Sequence, residues 1–404
     1  MPRSKTIAIA FLVFLPASAP AFHHVTPPVV QITPLSSAGT IANQQWAGIR
    51  FVIFDSDADL LGSGSTGHQI YLFDLLERDL HHTQALFQLT SGLSGLDDNR
   101  HGTSGKLANA IVYDARPSGA GPHQLFMFDR RHGDRYALTE GTADSVNARM
   151  DHASRMVVFE SDANFFATGN AGRQIYQIDL RKVVPSCPYP CGATGNAGLT
   201  QITRSAGTNR NAVTSNNGKL IAFESDADPM GIGENTTQVY TYDGETASFA
   251  ALSHGPGASR NPSISLNGRL VAFESGTDLL KNGTMGTQIF VHKRAKALPQ
   301  QISDHRPIGH CTGASLSANG HAVSFVSSDD LLSSGSTGSE VFSYDLQHQA
   351  LRQITDSQSP VSTAAYAGGV FITFLSADDL LGTNPNSVAL YLVNLFALGA
   401  QTIP

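Results

Sequence analysis

One short pattern recurs along this chain at nearly constant spacing. It consists of an aromatic residue, an acidic residue and a serine, usually with an aspartate three residues after the serine. Clear copies begin at Phe54, Phe159, Phe223 and Phe273, looser copies at Phe325 and Phe374, and a divergent copy at Tyr113. In six copies a second apolar segment starts 15 residues after the aromatic residue, and in the Tyr113 copy it starts after 11. A period of 46 to 64 residues indicates stacked units, each of which needs its neighbours to bury its faces.

The unit at 261–303 shows the layout of one repeat. Short strands are predicted at 262–266, 269–275, 288–293 and 300–303. Asn267-Gly268, between the first two, is typical of a two-residue hairpin turn. The 38 glycines and the 15% charged residues suit many short strands joined by tight turns. We therefore expect an all-β fold, in which residues 22–404 form one propeller domain of four-stranded antiparallel blades.

The two ends of the chain predict how this propeller closes. Gln31-Ile32-Thr33 matches the fourth-strand segments at 201–203 and 353–355, and it precedes the first complete repeat. The last repeat ends at its third strand, 389–395, with no such segment after it. The N-terminal strand is therefore expected to complete the last blade and close a seven-bladed ring, which also covers an exposed strand edge. Six or eight blades remain open alternatives, because the Tyr113 unit is irregular.

The unit at 261–303 resembles the β-propeller repeat of TolB-like proteins. The resemblance lies in Asn-Pro-Ser-Ile-Ser-Leu-Asn-Gly-Arg-Leu-Val-Ala-Phe-Glu-Ser, then Gln-Ile-Phe-Val and Gln-Gln-Ile-Ser, and its repeat covers nearly the whole chain after residue 21. It implies a propeller of the bacterial envelope or a secreted one. Some TolB-like propellers are polysaccharide lyases with a metal in the channel mouth. The chain departs from TolB in its degenerate second repeat and in leaving no room for a separate N-terminal domain.

The first 21 residues are expected to be a signal peptide. Arg3 and Lys5 precede an apolar run from Ile7 to Leu15, and Ala19-Pro20-Ala21 supplies the small residues of a cleavage site. A membrane anchor is the alternative, although the run is short for a span. Cleavage would remove two positive charges and take the formal net charge from −7 to −9. We expect a periplasmic or secreted protein with no general attraction to nucleic acid or anionic lipid.

The chain has three cysteines. Cys187 and Cys191 lie four residues apart, and in an oxidising compartment they are expected to form a small-loop disulfide. A zinc site is the alternative, but no second pair of Cys or His lies nearby in the sequence. The remaining Cys311 is expected to be a buried thiol.

One face of the predicted ring gathers polar loops. Antiparallel order places the loop between the second and third strands on the same face as the loop between successive repeats. The former loops are acidic, as at 55–59 and 226–228, and the latter carry basic and amide groups. We expect both to surround one mouth of the central channel, where ligand sites are common. The candidate partner-binding residues are Arg100, His101, Asn147, Arg149, Arg210, Asn211, Arg260, Asn261 and His310.

A scaffold role is the alternative for the groups that repeat. Five repeats carry a carboxylate directly after the aromatic residue: Asp55, Asp114, Glu160, Glu224 and Glu274. Repeated acids beside repeated Arg and Asn predict interblade hydrogen bonds whatever the function, and loop Asp and Ser can cap their own turns. Function is then expected where the repeat breaks, as at the short loop 115–123, the Cys187–Cys191 insertion and the isolated histidines.

Metal chemistry is a further alternative. His101, His254, His305 and His310 fall in loops between repeats, and imidazoles that face one channel could hold a cation. The segment 55–59 resembles the start of a calcium loop, but Leu60 and Thr66 stand where glycine and a bidentate Glu are needed. The Gly- and Ser-rich loops at 62–67 and 334–338 lack the following helix that a nucleophile elbow or phosphate loop requires.

The sequence therefore favours an exported binding module without catalysis or cofactor over a metal-dependent propeller enzyme such as a polysaccharide lyase or hydrolase. The expected partner is a protein or a cell-envelope glycan that docks on the mouth. Arg100, Arg210 and Arg260 are expected to contribute most of the binding energy. Replacing all three with Ala should then abolish partner capture and leave the melting temperature nearly unchanged.

Overall fold

The computed structural model describes residues 29–33, 39–77, 85–91, 96–117, 121–169, 172–183, 198–303, 308–357, 360–367, 369–378, 380–381 and 388–398. The expected signal peptide, the Cys187–Cys191 pair and His305 lie outside these residues. Within them the fold is all-β, and helical residues are confined to 75–77 and to α1 (Leu395–Leu398). No helix in this part of the chain is long and apolar enough to cross a membrane.

The strands are short and follow one another along the whole chain. They are β1 (Val29–Gln31), β2 (Ile41–Ala47), β3 (Phe51–Ser56), β4 (Gln69–Asp74), β5 (Leu86–Gln88), β6 (Leu96–Ser104), β7 (Ala110–Pro117), β8 (Gln124–Asp129), β9 (Asp134–Ala137), β10 (Ser145–Met150), β11 (Met156–Ser161), β12 (Gln174–Asp179), β13 (Leu199–Gln201), β14 (Asn209–Thr214), β15 (Leu220–Ser225), β16 (Gln238–Asp243), β17 (Ser248–Ala251), β18 (Ser259–Ile264), β19 (Leu270–Ser275), β20 (Met285–Lys293), β21 (Gln300–Gln301), β22 (Ile308–Leu316), β23 (Ala322–Ser327), β24 (Glu340–Asp345), β25 (Ala350–Gln353), β26 (Val361–Ala367), β27 (Phe371–Ser376) and β28 (Ala389–Asn394).

These strands form successive antiparallel groups, which we number as repeats. Repeats 1 to 4 are the four-stranded sheets β2–β5, β6–β9, β10–β13 and β14–β17. Repeats 5 and 6 are β18–β21 and β22–β25, joined into one sheet by a short parallel pairing of β20 with β22. Repeat 7 consists of β26, β27 and β28 with β1 at its edge. The all-β, four-stranded layout predicted from the sequence is therefore present.

A stacked pair of aromatic rings lies in the core of each repeat. The aromatic residue that opens the sequence pattern lies in the second strand, and its ring stacks on a ring of the third strand. The pairs are Phe54–Tyr71, Tyr113–Phe126, Phe159–Tyr176, Phe223–Tyr240, Phe273–Phe290, Phe325–Phe342 and Phe374–Tyr391, with centroids 5.6–6.1 Å apart. All of these rings are buried, and stacking adds about 0.5–1.5 kcal/mol per pair to the gain from burial. The regular spacing of aromatic residues in the sequence therefore reflects the stacking of two rings in the core of each repeat.

Strand β1 lies at the edge of repeat 7, far from it in sequence. It pairs antiparallel with β28, with Val30 opposite Leu392. Just beyond β1, the hydroxyl of Thr33 accepts a 3.2 Å hydrogen bond from the backbone N–H of Leu390. Within repeat 1, the hydroxyl of Thr90 accepts an equivalent bond from the backbone N–H of Ile70 in the third strand. The Gln-Ile-Thr segment therefore occupies the place of a fourth strand in repeat 7.

The first and last repeats also pack against each other. Trp46 of repeat 1 stacks on Phe371 of repeat 7 with ring centroids 5.8 Å apart. One buried apolar cluster contains Val52 of repeat 1 together with Leu390 of repeat 7. The N-terminal and C-terminal repeats are therefore neighbours in space.

The turn between the first two strands of a repeat is longer than Asn267-Gly268 predicted. In repeat 5 the N–H of Gly268 donates to the carbonyl of Ser265 at 2.8 Å, and the N–H of Ser265 donates to the carbonyl of Leu270. Gly268 has a positive φ of 68°, whereas Asn267 is not among the positive-φ residues that a two-residue type I′ turn requires. The Asn267 side chain instead accepts from the N–H of Arg269 at 2.9 Å.

Candidate functional site

The innermost strand of each repeat is interrupted by a β-bulge near the predicted mouth. The pairing register shifts there in all seven repeats. In six repeats the residue at the bulge has a positive φ of 51–70°, and these residues are Asn43, His101, Asn147, Asn211, Asn261 and Gly313. Asn and Gly adopt this conformation more easily than other residues, which explains their recurrence at the site. We call these six residues the bulge ring.

Backbone hydrogen bonds tie the bulge ring to the carboxylates of the preceding repeats. The N–H of His101 donates to Asp55 at 2.9 Å, Asn147 to Asp114 at 3.2 Å, Asn211 to Glu160 at 2.6 Å, Asn261 to Glu224 at 2.9 Å and Gly313 to Glu274 at 3.0 Å. A hydrogen bond to a charged group contributes about 1.5–3 kcal/mol. The interblade bonds predicted for these five acids are confirmed.

Side chains of the bulge ring extend the same network. Asn147 Nδ2 donates to Glu160 Oε1 at 2.5 Å and to Asn211 Oδ1 at 3.1 Å. Asn211 Nδ2 donates in turn to Asn261 Oδ1 at 3.1 Å, and Asn261 Nδ2 donates to Glu274 at 2.5 Å. Burial raises the pKa of Glu160, while the bond from Asn147 acts in the opposite direction. These three candidate binding residues therefore make structural contacts between repeats.

Repeat 2 departs from this pattern. His101 stands where the five other members of the bulge ring are Asn or Gly, and its Nδ1 lies 2.7 Å from Asp114 Oδ1. His123 approaches the same carboxylate from the start of the third strand, with Nδ1 2.8 Å from Oδ2. His123 Nε2 lies 3.2 Å from Asp98 Oδ2. We call Asp98, His101, Asp114 and His123 the His–Asp cluster.

The electrostatics of the His–Asp cluster favour the charged forms of Asp114 and His101. Burial raises the pKa of Asp114, but the hydrogen bonds from His101 and His123 outweigh it, and the net pKa lies below the ordinary value. For His101, burial lowers the pKa and the bond to Asp114 raises it, with a net increase. His101 Nε2 has no hydrogen-bond partner among the residues that the structure describes. His101 and the short loop 115–123 were predicted from the sequence as candidate functional positions, but no specific role was predicted for His123, the last residue of that loop.

Arg149 reaches from repeat 3 to repeat 1. With its side-chain oxygen facing the guanidinium, Gln45 accepts hydrogen bonds from Nε and Nη1 of Arg149, both at 2.8 Å. Arg149 Nη1 also donates to the backbone carbonyl of Ala148 at 2.9 Å. Burial lowers the pKa of Arg149 and the charge of Glu160 raises it, but an arginine remains protonated at any physiological pH. Arg149 therefore links repeat 3 directly to repeat 1, although repeat 2 lies between them in the sequence.

The three arginines expected to bind a partner differ in their contacts. Arg100 Nε donates to Asp98 at 2.6 Å. Arg210 lies 3.5 Å from Glu224 and 3.6 Å from Asp226. The Arg260 side chain is exposed and makes no ion pair or hydrogen bond within the described part of the chain. Within the described residues, Arg260 is therefore the only one of these three arginines whose side chain makes no ion pair or hydrogen bond.

The candidate histidine ligands do not form a metal site in the described part of the chain. No three His, Cys, Asp or Glu side chains are placed there to hold a metal ion. His310 Nδ1 lies 3.2 Å from Asp329, and its N–H donates to the same carboxylate at 2.6 Å. His254 is exposed. The hypothesis of a site formed by His101, His254 and His310 therefore finds no support, and His305 lies outside the described residues.

The acidic loops between the second and third strands use their carboxylates internally. Asp59 accepts from the N–H groups of Ser63 and Gly64 at 2.8 and 2.7 Å. Asp330 makes the same two contacts to Ser334 and Gly335, both at 2.7 Å. These bonds confirm the turn-capping role predicted for the loop aspartates.

The same loops present apolar side chains to solvent. In repeats 1 and 3 to 6, two successive residues follow the capping Asp or Asn, and the second of them is exposed or half-exposed. Repeat 7 has Leu380-Leu381 at the equivalent place in the sequence. The members are Leu61, Phe166, Met230, Leu280, Leu332 and Leu381, and four of them are 39–46% exposed. We call these six residues the apolar crown. It comprises one loop in each repeat except repeat 2, and it was not predicted from the sequence, where the acids of these loops are the more conspicuous feature.

Comparisons with known proteins identify the fold. No family model and no curated protein matches this chain. It is similar to the solved structure of an oligogalacturonate lyase in complex with manganese, with 12% identity and a TM-score of 0.61 over 91% of this chain and 93% of that one. It is similar to the β-propeller domain of the Trilobed protease from Pyrococcus furiosus, with 8% identity and a TM-score of 0.58 over 90% and 97%.

TolB from Acinetobacter baumannii matches less well, with 14% identity and a TM-score of 0.44 over 80% of this chain and 79% of that one. All these identities are low, and such similarity concerns architecture rather than activity. Together with the four-stranded antiparallel sheets, the first two matches show that this chain has a β-propeller fold.

Proposed function

We propose that this protein is an exported, periplasmic or secreted, seven-bladed propeller that acts as a binding module without catalysis. Its ring is closed by β1 as the outer strand of the last blade. The pairing of β1 with β28 and the stacking of Trp46 on Phe371 support this closure. Its partner is a protein that docks on the mouth formed by the bulge ring and the loops around it.

The apolar crown is the observation that carries this proposal. Exposed apolar side chains that together form one patch mark a surface for interaction with another molecule. Phe166, Met230 and Leu332 belong to three different repeats and are all exposed. Exposed apolar groups on the same face as charged groups such as Arg260, which lies at the start of the first strand of repeat 5, are typical of a protein–protein interface. A glycan partner, which the sequence left open, would gain less from aliphatic side chains.

The experiment is affinity capture from an envelope extract with three baits. The first is the wild-type protein, and the second carries Phe166→Ser, Met230→Ser and Leu332→Ser. The third carries Phe87→Ser and Leu107→Ser, which remove exposed apolar side chains from β5 and from the turn between β6 and β7. We expect a polypeptide that the wild type and the third bait retain and the second bait loses.

Two results would contradict the proposal. Equal capture by the crown variant would show that these side chains are not the contact. Capture of glycan that survives protease treatment of the extract would assign the mouth to a carbohydrate. The Arg100→Ala, Arg210→Ala, Arg260→Ala variant adds a charge test, and we expect Arg260→Ala alone to account for most of its loss, because the other two arginines already have ion-pair partners.

Catalysis at the His–Asp cluster is a second candidate, favoured by one observation. An imidazole whose Nδ1 is held by a carboxylate and whose Nε2 is free has the arrangement of a general base, and His101 has it. Because one similar structure is named an oligogalacturonate lyase, oligogalacturonate with and without manganese is the substrate to test. Formation of an unsaturated product that His101→Ala abolishes would establish this candidate in place of the first.

A further inference from the structure

A cleft on the face opposite the mouth concentrates positive charge. It lies between repeats 5 and 6, where the turns that join first to second and third to fourth strands meet, and its volume is about 650 Å³. Arg269, Lys293 and Lys296 line it, together with His321. No Asp or Glu side chain is among its lining residues. We call Arg269, Lys293 and Lys296 the basic cleft.

The charges of the basic cleft are unpaired. The three side chains are exposed, and none makes an ion pair or a side-chain hydrogen bond within the residues that the structure describes. Cations in comparable turns are paired, as in Lys219 with Glu245 and Arg294 with Asp243. Three unneutralised cations around one concavity, in a chain with a formal net charge of −7, make a local field that attracts anions.

The rest of the lining favours one kind of anion. The apolar side chains of Leu270, Val291 and Leu298 lie among the lining residues, and Leu298 is 62% exposed. The lining contains no Phe, Tyr or Trp ring, although bases of single-stranded nucleic acid bind by stacking on such rings. Aliphatic surface flanked by cations suits a chain that alternates carboxylates with aliphatic side chains.

The short outer strand of repeat 5 explains why the cleft is open. Strand β21 has two residues, whereas the outer strands of repeats 4 and 6 have four. In repeat 5 the chain from Arg294 to Pro299 forms the turn instead, and it carries Lys296 and Leu298 into the cleft. Among repeats 2, 4, 5 and 6, whose third-to-fourth-strand turns the structure describes, only repeat 5 has a two-residue outer strand, so the propeller scaffold does not require this arrangement.

We propose that the basic cleft is a second binding site, which takes an acidic peptide segment containing aliphatic side chains. The site is separate from the mouth and does not depend on the function proposed there. Carboxylates of the peptide would pair with Arg269, Lys293 and Lys296, and its aliphatic side chains would cover Leu298. Such pairing is weakened by salt, because the charges are exposed.

The test is fluorescence polarisation with a short labelled peptide of alternating Glu and Leu. We expect saturable binding to the wild-type protein and at least about tenfold weaker binding to the Arg269→Glu, Lys293→Glu, Lys296→Glu variant. Leu298→Ser should weaken binding at high salt as well as at low salt. A matched control carries Lys106→Glu, Lys182→Glu and Lys281→Glu at exposed lysines elsewhere, and it should bind within about threefold of wild type.

Three outcomes would overturn the proposal. The peptide could fail to bind the wild type, or it could bind the cleft variant and the control equally. A sulfated oligosaccharide of equal charge could bind more tightly than the peptide, which would make the cleft a glycan site. The crown variant should keep its peptide affinity, so failure at the mouth and failure at the cleft are distinguishable.

Discussion

The backbone N–H of Asn211 donates a 2.6 Å hydrogen bond to Glu160 Oε1 in the preceding repeat. The same carboxylate oxygen accepts from the side chain of Asn147 at 2.5 Å. Glu160→Ala removes the acceptor and leaves both donors inside a packed interface. We expect a loss of about 2–4 kcal/mol in the free energy of unfolding, because two hydrogen bonds to a charged group disappear. Urea denaturation followed by circular dichroism measures it.

The control for this prediction is Glu245→Ala. Glu245 makes an exposed ion pair with Lys219, and such pairs contribute about 0–1 kcal/mol. If Glu160→Ala is no more destabilising than Glu245→Ala, the carboxylates that accept hydrogen bonds from the bulge ring are not structural, and a role in binding becomes the better explanation.

The His–Asp cluster predicts a pH dependence of stability. Its bond to Asp114 gives His101 a folded-state pKa above the unfolded value of 6.5. The resulting stabilisation is complete below the unfolded pKa and is lost as the pH rises through the higher folded pKa. We therefore expect the wild type to lose stability as the pH rises from the unfolded pKa through the higher folded pKa, and His101→Asn to lose less over the same range.

Urea titrations at several pH values measure this slope. His132→Asn is the matched control, because His132 also pairs with an aspartate but is exposed. Its removal should alter the slope less than His101→Asn does. Equal slopes in the wild type and in His101→Asn would show that the His101–Asp114 contact does not contribute to stability.

The sequence predicted the repeats and their contacts better than it predicted the details of the mouth. The aromatic spacing is enforced by core stacking, as in Phe54 on Tyr71, so it survives as a visible period. A bulge, in contrast, produces no regular spacing of residue types in the sequence. It inserts one residue into the strand and changes which side chains face each way, and this explains why Arg149 contacts Gln45 rather than solvent.

Other features of the mouth depend on distances that a sequence does not contain. His123 lies 22 positions after His101. The pairing of β6 with β7 brings His101 to Asp114, and the pairing of β7 with β8 brings His123 there. The apolar crown depends on which of two adjacent side chains packs inward: Leu60 is buried whereas Leu61 is half-exposed. Turn geometry decides between them, and two apolar neighbours in a loop do not reveal it.

The cysteines predict a distinctive thiol titration. Cys311 is buried, and burial raises its pKa to about 11. It should therefore not react with a disulfide reagent at pH 8 in the folded protein. If Cys187 and Cys191 are bonded in the exported protein, denaturation without reductant exposes one thiol, and denaturation after reduction exposes three. Three thiols without reduction would contradict the disulfide prediction.

Thr33 provides a test of ring closure. Its hydroxyl accepts from the N–H of Leu390 at 3.2 Å, as Thr139 accepts from Leu125 at 2.8 Å within repeat 2. Either Thr→Val change leaves a buried N–H without that partner, at a cost of about 1–3 kcal/mol. We expect Thr33→Val and Thr139→Val to lower the melting temperature by similar amounts. A neutral Thr33→Val beside a destabilising Thr139→Val would mean that the ring is open in solution.

Gly313 offers a substitution that should stabilise the fold, unlike the preceding ones. It stands in the bulge ring where four other repeats carry Asn. Its φ is 70°, and a Cβ at this position would have open space within 4 Å. Its N–H would still bond to Glu274. Asn tolerates this conformation and restricts the unfolded chain, so Gly313→Asn should stabilise the fold by about 0.5 kcal/mol. Gly313→Val should destabilise it, because a β-branched residue is strained at positive φ. Thermal unfolding of both variants tests this, and equal melting temperatures would contradict it.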